Sequence, residues 1–296
     1  FCGGEVIADM KAAEAALGDR PSVWPDQPFE ARTFDAFVGD VTVRARRLAL
    51  YGGLGLDQAS ARVRLGDGKV VVEQLEGVAL GKPWSAAFSL APLRGAGAEL
   101  SGTVQVQGVP LGSAVRGANV VASAKLAFIG RGANPRAVLA SLQGQGAMEL
   151  QSADVPGITP KAISLAVDAS FKASNESAPQ ALRKTLATGL ASAPLPLPQS
   201  VGLELADGQL RSKATSIETP AGIAEGSVLL DLSSFALLSD WKLTDRALAT
   251  PQRALPAVSV QYRGPIAGLG RLEPQIGLEA LEREVKELRR ANEILR

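Results

Sequence analysis

Few residues in this chain have the types and spacing that chemistry requires. Gly-x-Gly pairs stand at Gly53-Gly55, Gly130-Gly132 and Gly144-Gly146, among others, but none has the third glycine of a dinucleotide-binding turn. No Gly-Lys-Ser/Thr run ends a phosphate loop. Ser239-Asp240-Trp241-Lys242 fits Ser-x-x-Lys, in which one helical turn brings an amine to a hydroxyl nucleophile. Its flanks alternate as a strand does, which places Ser239 and Lys242 on opposite faces. The carboxylates are scattered singly, and Asp67 and Asp207, each before a glycine, read as turn formers rather than acid/base groups. The chain has no histidine, which excludes Ser-His and Cys-His nucleophile pairs and imidazole-ligated metals. Its single cysteine, Cys2, can form neither an internal disulfide nor a zinc cluster. The expectation is a protein that is not an enzyme, with no catalytic, metal or cofactor-binding residues. The lack of bridges does not assign a compartment, because a large core needs none outside the cell either.

The one constellation with sharp spacing is a seam for association. Leu278, Leu281, Val285, Leu288, Asn292 and Leu295 recur at alternating steps of four and three, with almost wholly charged residues between them. Leu278, Val285 and Asn292 fall at a positions of a heptad, and Leu281, Leu288 and Leu295 at d positions. Asn292 at an a position favours a parallel, in-register pair, because two amides can hydrogen-bond across the seam. Fewer than three heptads is marginal in water. The spacing therefore predicts a helical tail over 278–296 that extends away from the body and forms a weak homodimer.

The elements that precede this tail have a different period. The chain has 296 residues, of which 46% are hydrophobic, 21% charged and 4% aromatic, so its interior is built mainly from Val, Leu, Ile and Ala. Lys plus Arg number 31 against 30 for Asp plus Glu, a balance that leaves no electrostatic footprint for nucleic acid. No apolar run reaches the ~18 residues that cross a bilayer; the longest, 228–238, is broken by Asp231, Ser233 and Ser234. The chain opens on Phe1 rather than methionine, so a fragment or a processed product is expected, with any N-terminal membrane anchor of the parent missing.

Residues 5–17 read as a short Ala-rich helix within an N-terminal unit, 1–20, followed by a link with Pro21, Pro25 and Pro28. From Gly39 the period becomes two. Val41, Val43 and Ala45 share one phase and Leu48 and Leu50 the other, a slip that marks a β-bulge or bend. Further strands are predicted at 57–65, 69–76, 84–91, 98–107, 118–129, 143–151, 201–206, 209–217, 222–232, 236–244 and 256–263. Gly52-Gly53, Asp67-Gly68 and Asp207-Gly208 supply the turns, Asp-Gly providing the positive φ that tight hairpins demand. Helices are predicted at 135–142, where Asn134 precedes a first-turn Pro135, and at 179–190. Pro194, Pro196 and Pro198 read as a stiff spacer. Val63 to Val70 echoes Leu203 to Leu210 position by position, with a weaker third copy at Met148-Glu149-Leu150 and Asp154. The echo fits either a sheet extended by modules or the ordinary recurrence of Asp-Gly turns.

Several of these segments, in order, resemble the C-terminal region of the AsmA-like family. They are Trp24-Pro25 with Pro28-Phe29, FVGDVTVRARRL (37–48), VRLGDGKVVVEQLEG (63–77), LASLQGQGAMEL (139–150), LELADGQL (203–210) and LPAVSVQYRGPIAGLGRLEP (255–274). The likeness covers 21–277. It implies a curved, partly open antiparallel sheet, a β-groove, so that the fold expected is mainly β with short helices and a C-terminal α-helix. It also implies an envelope protein at the periplasmic face of the inner membrane, held by an N-terminal anchor. Such a protein would bind or conduct phospholipid acyl chains toward the outer membrane and support outer-membrane assembly. Relatives carry a Gly-Gly pair after the strand ending near Gly77. Here Val78-Ala79-Leu80-Gly81-Lys82-Pro83 stands instead, and Pro83 lacks a ladder donor. From alternation alone, an ordinary sandwich with a closed core remains the competing fold.

The tail, LEALEREVKELRRANEILR, resembles the leucine-zipper end of a small insertion-sequence transposase subunit, and a gene junction would account for the change in style. Two other functional readings stand beside lipid binding. One is a protein-binding periplasmic scaffold for outer-membrane protein assembly; the other is a transposase-derived fusion, against which the near-neutral charge and the lack of a helix-turn-helix both weigh.

Overall fold

The computed structural model describes residues 24–29, 38–49, 55–79, 81–94, 96–110, 119–192, 194–246, 255–265 and 272–294. The helix expected at 5–17 and the Gly52-Gly53 turn lie outside them, as do Cys2, Leu50 and Leu295.

Among the described residues fifteen strands form one antiparallel sheet. They are β1 (Gly39–Ala49), β2 (Gly55–Gly66), β3 (Lys69–Ala79), β4 (Lys82–Pro92), β5 (Ala98–Pro110), β6 (Asn119–Gly132), β7 (Gln143–Val155), β8 (Leu195–Pro196), β9 (Ser200–Ala206), β10 (Gln209–Ser212), β11 (Thr215–Thr219), β12 (Gly222–Asp231), β13 (Ala236–Asp245), β14 (Val258–Pro265) and β15 (Gln275–Gly277). Spatial order follows chain order from β1 to β7 and continues through β9, β10, β12, β13 and β14 to β15; β8 pairs β7 and β11 pairs β12. The path has two ends, β1 and β15, so the sheet is open. Helices are α1 (Pro135–Ala140), α2 (Lys161–Lys172), α3 (Ala178–Ser192) and α4 (Glu279–Ile294).

The turns form as their residues dictate. Asp67 and Gly68 have φ of 51° and 65°, and Asp207 and Gly208 have 51° and 73°, positive at both central positions as a two-residue hairpin loop requires. The two echoing segments are thus equivalent hairpins, β2–β3 and β9–β10. The third copy is not one, because β7 runs without a turn from Gln143 to Val155. Asn134 caps α1, its Oδ1 accepting from Ala137 N at 2.7 Å. The Pro-rich segment after α3 is more than a spacer: Leu195 is buried and pairs with Val155 as β8. The strand expected at 209–217 divides into β10 and β11.

The phase slip is real, and it is shared by two strands. Ala45 pairs with Ala59 and Leu48 with Leu56 in one unbroken register, while Gln58 on β2 takes φ of 52°. Both pairs, though three residues apart along each strand, pack into the same apolar cluster. On β3 a register shift between Val72 and Leu75 likewise puts both residues into that cluster. At Pro83 pairing with β3 persists, as Val78↔Pro83, whereas pairing with β5 starts at Trp84↔Val106. The missing N–H thus sits where the ladder to β5 has not begun.

α2 and α3 pack against each other. Gly189 allows their close approach, since a Cβ there would lie 3.1 Å from that of Ala162. They cover Trp241 and Leu243 of β13 and Val258 and Val260 of β14. The tail helix α4 does not extend into solvent. Leu281 and Val285, 1% and 3% exposed, belong to this same core, and Leu278 and Leu288 pack against it. Leu278 alone separates β15 from α4 and sets the helix directly on α2 and α3, and burying its apolar stripe there is more favourable than leaving it in water.

Candidate functional site: an apolar sheet face

Following the registers from strand to strand places one apolar set on a single face. It begins with Val41 and Val43 on β1, continues through Val63 on β2, Val72 and Leu75 on β3, and Trp84 and Phe88 on β4. It then passes through Leu100 and Val104 on β5 and Leu126 and Phe128 on β6 to Met148 on β7. The opposite face carries Arg62 and Arg64, Glu76, Ser85 and Ser89, Glu99 and Thr103, Lys125 and Arg131, and Gln145 and Glu149. Alternation at period two produces this division without further instruction.

Cover over the apolar face is uneven. α1 packs on β5 and β6, above Gly130 and Gly132, where a Cβ would fall within 2.6 Å of helix backbone. Beside it, Trp24 Nε1 donates to Leu232 O at 3.0 Å, Phe29 N to Ala133 O and Arg136 N to Pro25 O. Segment 24–29 therefore ties the start of α1 to the β12–β13 turn and closes that rim. Helices α2, α3 and α4 cover the distant end, over β13 and β14. Over β1 to β4 the arrangement differs, for the cluster there consists of strand residues alone among the described residues. Trp84, Phe88, Leu100, Val104, Phe128 and Met148 are half-buried, and Val41 and Val43 are 44% and 47% exposed.

On this face three glycines leave no room for a side chain. A Cβ on Gly102 would lie 2.4 Å from Ala87 O, one on Gly144 2.1 Å from Ala127 O, and one on Gly146 2.3 Å from Lys125 O. Each of these oxygens belongs to the neighbouring strand, so any side chain there would force the strands apart.

Polar chemistry is sparse. Ser239 and Lys242 lie on β13 three residues apart, hence on opposite faces as the alternation predicts; Ser239 Oγ accepts from Trp241 Nε1 at 2.8 Å and Lys242 is exposed. Asp67 and Asp207 are exposed or half-exposed turn residues. Among the described residues no three His, Cys, Asp or Glu side chains are grouped to hold a metal ion. No described helix is long and apolar enough to cross a membrane.

Of the seam residues, Leu278, Leu281, Val285 and Leu288 are placed together, but inward, and Leu295 lies outside the described residues. Asn292 is exposed at the far end of α4. Polar side chains reinforce the docking: Arg183 of α3 grips Glu282 with Nε–Oε1 at 2.5 Å and Nη2–Oε2 at 3.0 Å. That guanidinium holds the Glu282 carboxyl below the usual carboxylate range. Arg289 donates to Ser170 O, to Ala173 O at 3.0 Å and to Asn175 Oδ1 at 2.6 Å, satisfying carbonyls at the C-terminus of α2. Its guanidinium also stands 6.0 Å from the centre of the Phe171 ring.

Sequence reasoning missed α2, although Ala162, Ile163, Ala166, Val167 and Ser170 are buried at helical spacing. Pro160 at its N-cap makes no side-chain hydrogen bond; instead Ser164 N donates to Oδ2 of the buried Asp245 at 2.9 Å. The missing local signal is a cap, and it arrives from β13.

Compared with protein-family models, with curated proteins and with solved structures, the chain finds no match.

Proposed function

We propose that this protein is a non-enzymatic envelope component whose apolar sheet face binds or conducts phospholipid acyl chains between the inner and outer membrane, in support of outer-membrane assembly. The observation that carries this reading is the continuous apolar face from β1 to β7, half-exposed over β1 to β4, where no described helix packs. Methylene groups gain about 0.8 kcal/mol each on leaving water, so an acyl chain lying across such a face is held without any specific polar contact. The polar reverse face keeps the sheet wet on its other side. The resemblance to the AsmA-like C-terminal region supplies the compartment in this reading, the periplasm, with the parent held at the inner membrane.

The test is extraction of the purified chain and mass spectrometry of what it carries. Phospholipid is expected in bound form, and Trp84→Glu with Phe88→Glu should strip most of it while circular dichroism stays β-rich. A native chain that carries no lipid and does not take up a fluorescent fatty acid would overturn the proposal.

A further inference from the structure

The two ends of the sheet are built differently. β15 is three residues long and leads straight into α4, so that edge is short and guarded. β1 is eleven residues long, and among the described residues it pairs only with β2. A long open edge presents unpaired N–H and C=O groups and is a template for another strand. Val41 and Val43 are exposed on its apolar side.

The charges on β1 define what can pair there. Asp40 pairs with Arg64 at 3.3 Å and Arg47 with Asp57 at 3.9 Å, both on β2. Arg44 and Arg46 are exposed and engage no ion pair among the described residues. The neighbouring strand shows how this sheet answers such a pattern. β2 carries Arg62 and Arg64 between Ala61, Val63 and Leu65, and its second neighbour β3 brings Glu73 and Glu76. Arg64 Nη2 meets Glu73 Oε1 at 2.8 Å. β1 has a similar apolar/arginine alternation, and among the described residues no strand lies on its other side to answer Arg44 and Arg46. A second copy of β1 is disfavoured in the fully overlapped antiparallel register, which would set Arg44 of one copy opposite Arg44 of the other.

We propose that the free edge of β1 is a docking site for an extended polypeptide strand that alternates apolar and acidic residues. Backbone hydrogen bonds supply the attachment, the valines extend the apolar face by one strand, and Arg44 and Arg46 select for carboxylates. The arginines thus guard the edge against self-association while admitting one class of partner. This inference is independent of whether the face carries lipid.

The probe is a synthetic peptide of about ten residues that alternates valine and glutamate, added to the full chain and followed by fluorescence anisotropy and amide hydrogen exchange. Binding is expected, with new protection confined to 39–49. The same peptide with lysine in place of every glutamate should bind at least about tenfold more weakly, since like charges across an interface oppose docking. Arg44→Glu with Arg46→Glu in the protein should invert that preference; both side chains are exposed, so folding is retained and circular dichroism checks it. No binding, equal binding of the two peptides, or protection elsewhere than 39–49 would show that the arginines only guard the edge.

Discussion

At the residue scale the decisive positions are glycines and caps. Gly102, Gly144 and Gly146 face backbone oxygens of neighbouring strands at distances no Cβ tolerates. Gly144→Val should therefore cost about 1–3 kcal/mol, the usual range for overpacking, although valine is the better strand former. Urea titration compared with a valine at exposed Ala127 separates the two effects. Asn134→Ala removes the acceptor at the start of α1, where segment 24–29 is also tied, and should cost about 0.5–2 kcal/mol. Glu282 gives a pH signature. Its folded pKa is lowered by Arg183, so its contribution is complete above the unfolded carboxylate value and is lost as pH falls through the lower folded value. Thermal melts from neutral pH down through the carboxylate range should show α4 loosening in the native chain, with that component absent from Glu282→Gln.

At the element scale α4 is the clearest case of a pattern with two solutions. A heptad seam can face a second helix or a groove at home, and the alternation of threes and fours is the same for both. Here the groove is α2, α3 and β14, and Leu281 and Val285 fill it. Leu281→Ala should destabilise the chain by about 2–5 kcal/mol, as for other fully buried leucines. Asn292→Ile, which would strengthen a free zipper, should leave sedimentation of the full chain unchanged. Association that rises with this substitution would mean that α4 leaves its groove. Val285 and Leu288 pack into this groove, and Arg289 adds its hydrogen bonds to the C-terminus of α2.

At the scale of the whole molecule, a sheet with one apolar and one polar face must cover, curl or occupy its apolar side. Among the described residues, three helices cover the C-terminal end, α1 and segment 24–29 close one rim, and strand side chains alone lie over β1 to β4. Charge on the uncovered part should then be tolerated by the fold but not by a bound acyl chain. Val43→Asp is expected to change stability by less than ~0.5 kcal/mol, typical of exposed sites, and to lower lipid carried per chain in the mass-spectrometric assay.

Much of the architecture was legible in the residues, for physical reasons that differ from element to element. Period-two runs closed by Asp-Gly specified the strands and hairpins, because positive φ at two successive residues leaves few alternatives. The slip after Ala45 was visible as a change of phase, but that β2 shares it through Gln58 is a property of pairing. Asn134-Pro135 announced α1, whereas α2 stayed hidden because its cap, Asp245, comes from another part of the chain. The absence of histidine excludes imidazole chemistry on composition alone. Tertiary structure alone decided which apolar residues are covered, since alternation marks a face without saying what lies over it. It also decided where the tail goes, because a stripe of leucines encodes burial and not the partner against which it is buried.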